Sequence, residues 1–211
     1  MFKLLPSVIA LVAANLITVY GVWFLDWSFS NILLLYWFES AIVGMTTVIK
    51  MIFATPGPGK SNWAKVFLVP FFLVHYGGFM AGHLVFIMLL IMFVETGHNG
   101  GEFSEVFNNL LGHLSLVAPA ISGLAISHVI SLLLNFFGSG EYKTKPVMEL
   151  FGSPYSRIIV MHLTLLFGMG LTFIVGQHTL VVLLFVALKI AVDLQAHIKE
   201  HATQPTGMII K

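Results

Sequence analysis

Six runs of about twenty apolar residues, separated by short polar breaks, leave this chain few ways to fold. A helix needs about 20 such residues to cross ~30 Å of hydrocarbon, where every backbone polar group must be satisfied internally. The runs are Ser7–Leu25, Asn31–Phe53, Val66–Val94, Leu116–Phe137, Ser156–Val175 and Thr179–Ile198. Of the 211 residues, 58% are hydrophobic and 9% charged, against roughly 25% charged in soluble domains. The expected architecture is all-α: a polytopic membrane protein whose single domain, residues 1–211, is a six-transmembrane-helix bundle in the lipid bilayer.

The breaks carry the punctuation such a bundle needs. Asp26-Trp27-Ser28 reads as a tight turn and Thr55-Pro56-Gly57-Pro58-Gly59-Lys60 as a loop. Gly97–Ser104 opens a longer connection. Its second half, Phe103–His113, places Phe103, Phe107, Leu110 and Leu111 at helical spacing and reads as a short interfacial helix. Gly138–Lys145 is another polar loop, and Pro146–Phe151 reads as a surface turn. The run after Lys3 is span-sized and lacks a small-residue cleavage site, so it reads as a span and not as a cleaved signal. Cysteine is absent, which removes disulfides, thiolate ligands and cysteine nucleophiles. No basic tract points to nucleic acid.

Charge sets the orientation. Lys50, Lys60 and Lys65 surround the second loop, Lys143, Lys145 and Arg157 the fourth; Lys3 precedes the first run, and Lys199 and Lys211 follow the sixth. The first, third and fifth loops hold no Lys or Arg, and Glu95, Glu102 and Glu105 belong to the third. The positive-inside rule then puts both termini in the cytoplasm, N-in and C-in.

Ionisable residues inside the runs are the candidate functional groups, because lipid offers them no hydrogen bonds. Counting 1.5 Å per residue places His75, His128, His162 and Asp193 roughly 9–15 Å from the cytoplasmic edge on four different helices, with His197 one turn below Asp193. Glu39 and Lys189 fall near the midplane and His83 somewhat higher. Lys189, Asp193, His197 and His201 recur every fourth residue, forming one polar stripe. This stripe reads either as a ligand set or as the solvated end of a last span. Glu39 and Lys189 read either as a structural ion pair or as proton- or metal-handling groups. Gly78 and Gly82 form a small-xxx-small pair that admits a close neighbour.

Imidazoles with one carboxylate suit zinc or iron. The expected site is a histidine cluster binding such a transition metal ion: His75, His162, Asp193 and His197 as ligands, with Glu39 and His128 as catalytic groups. Metal-bound water then serves a hydrolase-type reaction on a lipid or other hydrophobic substrate. The arrangement is similar to membrane ceramidases and adiponectin-receptor-type hydrolases in its closing His-x-x-x-His pair, but their Ser-x-x-x-His signature is missing and they have seven spans. Alternatives stay open: haem b held by His75 with His162 or His128, a proton- or ion-coupled transporter, or a structural subunit of a larger membrane complex or homo-oligomer. Ala120-Ile121-Ser122-Gly123 resembles the Gly-x-Ser-Gly of rhomboid proteases, with His178 as base; the leading Gly is Ala here.

Tyr36-Trp37-Phe38-Glu39, the segment Phe71–Phe79 with His83, and the closing Asp193-x-x-x-His197 give the whole chain a resemblance to a family of bacterial multi-pass integral-membrane proteins of unknown function. That resemblance implies a multi-pass protein of the bacterial inner membrane and supplies no activity.

Overall fold

The computed structural model describes residues 17–59, 61–95, 102–175 and 187. Among them it is all-helical, with a single parallel bridge pair, Thr55 to Pro146, and no strand. A helical stretch over 17–24 leads into α1 (Phe29–Phe53); α2 (Trp63–Leu90) runs on as a π-helical turn, Ile91–Glu95; α3 (Phe103–Ser131) runs on similarly through Leu132–Gly138. Then come α4 (Val147–Gly152) and α5 (Tyr155–Val175). Four of these segments are long and apolar enough to cross a membrane: Phe29–Phe53, Trp63–Phe93, Phe103–Gly138 and Val147–Phe167. The first expected span is described only over residues 17–25, and the sixth only at residue 187, so that Lys189, Asp193, His197 and His201 lie outside the described residues.

α1 starts where the sequence caps it. The Ser28 side chain accepts from the Asn31 backbone while the Asn31 side chain accepts from the Ser28 N–H, closing a reciprocal cap. The turn before it is compact because Gly21 has no Cβ to strike the Trp27 ring. At the other end Lys50 stands in the last turn, where the helix dipole favours a cation.

α1 is the hub, packing against α2, α3, α4 and α5. Its buried residues Leu33, Tyr36, Ser40, Gly44, Thr47 and Met51 recur at intervals of three and four, as do Phe72, Tyr76, Met80, His83, Ile87 and Leu90 of α2. These two stripes face each other, as helical periodicity requires. Side-chain hydrogen bonds lock the pair: Trp37 Nε1 donates to the Met80 carbonyl at 2.7 Å, and the Tyr76 hydroxyl to the Ser40 carbonyl at 2.8 Å.

Two expectations are corrected. Phe103–His113 is not a separate interfacial helix; it is the start of one unbroken 36-residue segment, Phe103–Gly138. Nothing between His113 and Leu116 breaks a helix, and Asn31, at the start of α1, grips His113 through its side chain and carbonyl. At 1.5 Å per residue the whole segment is about 54 Å long, so its first turns overhang the start of α1. Nor is Pro146–Phe151 a surface turn. Val147 and Leu150 of α4 are buried, and α4 packs between α1 and α2.

The two lysine-bearing loops meet. Thr55 N–H donates to the Tyr142 carbonyl at 3.0 Å, and Val147 N–H to the Thr55 carbonyl at 2.9 Å. The second and fourth loops therefore close one end of the bundle together, and α4 descends from that end into the interior.

Candidate functional site

The interior site depends on a break in a helix. α4 and α5 make one membrane-length segment interrupted at Ser153-Pro154. Pro154 has no N–H to give the carbonyl four residues back, and the Ser153 hydroxyl fills that place, donating to the Leu150 carbonyl at 3.0 Å. The chain turns there without leaving a buried acceptor empty, and α5 begins well inside the bundle.

Arg157, in the first turn of α5, reaches Glu39 on α1: Nη1 to Oε1 is 2.6 Å. The Glu39 side chain is only 12% exposed and that of Arg157 34%. Glu39 lies fourteen residues before the end of α1, about 20 Å from the looped end of the bundle. Among the described residues the counter-ion of Glu39 is Arg157; Lys189, which the sequence offered, lies outside them. Counting depth from the polar loop had hidden Arg157, because α4 carries the start of α5 inward.

Around this pair the ionisable groups converge. Tyr76 sits against Gly44, whose missing Cβ leaves space for the ring, and lies within electrostatic reach of Glu39, Arg157 and Tyr155. On the outer side of α2, His75 Nδ1 is 2.9 Å from the Tyr155 hydroxyl. From α3, His128 stands within electrostatic reach of Arg157, Glu39 and Lys50. The expected catalytic candidates Glu39 and His128 therefore share one neighbourhood, to which the structure adds Arg157, Tyr76 and Tyr155.

A second node lies further along the same helices. His83, buried on α2, holds Nδ1 2.6 Å from the Phe79 carbonyl, so Nδ1 carries the proton and Nε2 offers a lone pair. His162 Nδ1 is 3.3 Å from that Nε2 and donates to it, with the rings nearly perpendicular at 83°. Of the expected metal ligands, His75 takes Tyr155 and His162 takes His83. Tyr155 and His162 are seven residues, about 10 Å, apart on α5, so the two expected ligands occupy different levels. Asp193 and His197 lie outside the described residues, among which no group of three or more His, Asp or Glu is placed to hold a metal ion.

The remaining motifs are quieter. A Cβ added at Gly78 or Gly82 meets nothing among the described residues, so the small-xxx-small pair seats no described helix. Ser122, of the rhomboid-like tetrapeptide, donates to the Ala118 carbonyl one turn back at 2.9 Å, and His178 is outside the described residues. His113, the last residue of the expected interfacial helix, is tied to Asn31. Arg157 carried a legible signal, since a cation three residues beyond a proline opens an apolar run; its partner could not be read from one dimension.

A family model described as a family of unknown function, DUF6498, matches residues 2–208. No curated protein and no solved structure matches the chain.

Proposed function

Since the chain belongs to the DUF6498 family, whose description carries no activity, we propose a function from geometry: a multi-pass inner-membrane protein that moves protons through the ionisable seam between α1, α2 and α5, coupled to the passage of a solute or ion. Six spans with both termini in the cytoplasm complete the topology. The lysine distribution supports it, as does the meeting of the two lysine-bearing loops at one end of the bundle.

One observation carries this reading above the others: the broken helix α4–α5 delivers Arg157 to Glu39 deep in the bundle. Interrupted spans are the usual way a membrane protein brings ionisable groups and half-helix ends to a mid-membrane site. A carboxylate there is costly unless paired or protonated, and this gives it two alternative stable states. In one, Glu39 is ionised and held by Arg157. In the other it takes up a proton and Arg157 is released to an anionic solute or to water. His128, within electrostatic reach of the pair, and Tyr155, with its partner His75, supply further donors and acceptors.

The test is proton flux in reconstituted vesicles with a pH dye inside, driven by a potassium diffusion potential. Wild-type vesicles should acidify or alkalinise faster than empty ones, and Glu39→Gln should return them to the empty-vesicle rate while keeping the fold. Wild-type vesicles as tight as empty ones, with a range of candidate solutes present, would sink the proposal.

A further inference from the structure

The geometry points to a second, separate site: His83 and His162 together bind a divalent transition-metal ion. The two facing nitrogens are 3.3 Å apart. Two imidazole nitrogens, each about 2.0–2.1 Å from a zinc-like ion, subtend about 107° at that spacing, close to adjacent vertices of a tetrahedron. Imidazole pairs of this kind suit zinc, cobalt, nickel and copper(II).

Two further features prepare the pair for a metal. The Phe79 carbonyl receives the Nδ1 proton of His83, which fixes the tautomer and aims the Nε2 lone pair at His162. A backbone carbonyl holding the second nitrogen of a ligating histidine is the common outer-shell arrangement. His162, besides, is exposed among the described residues, which leaves water to complete the coordination; the small pocket it lines with Phe86, Leu165 and Leu166 is apolar and adds no ligand. No proton need be released on binding. His162 shifts its proton from Nδ1 to Nε2, and both histidines bind as neutral imidazoles. The metal replaces the proton that now bridges the two rings.

This pairing differs from the ligand set that sequence alone offered, since it substitutes His83 for His75. It is also independent of the Glu39–Arg157 site, and its readout is not proton flux.

The experiment is cobalt(II) titration of untagged, detergent-purified protein, reading the visible d–d bands and the bound metal by elemental analysis after dialysis. Wild type should take up one ion per chain with the intense bands of a four-coordinate site. His83→Gln and His162→Gln should each abolish the bands, and His75→Gln should leave them unchanged; thermal unfolding of each variant reports whether it has folded. Should both histidine variants misfold, protection of His83 and His162 from diethyl pyrocarbonate by cobalt on the wild-type protein reads the same site directly. Wild type without bound cobalt, bands that survive in both variants, or their loss in His75→Gln as well would overturn the inference.

Discussion

Gly44→Ala should destabilise the bundle, although alanine is the better helix former. A Cβ built on Gly44 stands 3.0 Å from Cδ1 and 3.2 Å from Cζ of Tyr76, and nearer still to Cε1. Tyr76 is buried against α1 and cannot slide sideways without losing its hydrogen bond to the Ser40 carbonyl. Overpacking a filled core costs about 1–3 kcal/mol, and an interhelical hydrogen bond in a membrane protein contributes about 0.6 kcal/mol, at most ~1.7. The gain in helix propensity, ~1 kcal/mol in water, offsets part of this, leaving a net loss of roughly 1–3 kcal/mol. Gly123→Ala is the matched control, because a Cβ there meets nothing among the described residues, and it should be neutral or mildly stabilising. Reversible unfolding in mixed micelles, titrated with denaturing detergent, measures both. A Gly44→Ala protein as stable as the Gly123→Ala control would refute the placement of Tyr76 over Gly44, and with it the alignment of α1 and α2 that builds the site.

The Glu39–Arg157 pair should show as coupling in a double-mutant cycle. Arg157→Gln alone should cost about 2 kcal/mol, less than the ~3–5 kcal/mol of a fully buried pair because the Arg157 side chain is 34% exposed. The Glu39→Gln/Arg157→Gln double variant should then be more stable than the Arg157→Gln single, and additive losses in the same unfolding assay would argue against a direct pair. Topology is open to thiol labelling because the chain has no cysteine of its own. Ser61→Cys and Ser139→Cys should react with an impermeant maleimide only from the cytoplasmic side, and Glu102→Cys only from the other. Labelling of Ser61→Cys and Ser139→Cys from opposite sides would contradict both the orientation and the joined loops.

Much of the helical framework was legible because span length is a one-dimensional property. The run Asn31–Phe53 became Phe29–Phe53, and Ser156–Val175 became Tyr155–Val175. What escaped the sequence were relations between segments. The polarity of residues 103–113 marked them as lying beyond the hydrocarbon, yet polarity does not end a helix, and no proline or glycine pair stops this one before Leu116. Pro146–Phe151 looked like a turn because it is short, but its buried Val147 and Leu150 make it a half-span. That one misreading displaced Arg157 from the interior and hid it as a partner for Glu39. The histidines were singled out as groups needing partners, and His75, His83, His113 and His162 have them. Which partner each takes depends on helix rotation: it sets His83 toward His162 and leaves His75 to Tyr155, and an apolar run without a strong polar face carries little record of it.

Arg157 follows Glu39 by 118 residues, and this separation has a consequence for biogenesis. At roughly 5–20 residues per second of synthesis, α1 emerges about 6–24 s before the cation that will hold its carboxylate. An ionised side chain at the centre of a lone helix costs about 2.5–3.5 kcal/mol to insert, so the carboxyl enters most cheaply as the neutral acid. Arrival of α5 then supplies the cation that holds it. The Glu39–Arg157 contact is in this sense an assembly step, set by the order of synthesis and made only once the segment that carries Arg157 has been added.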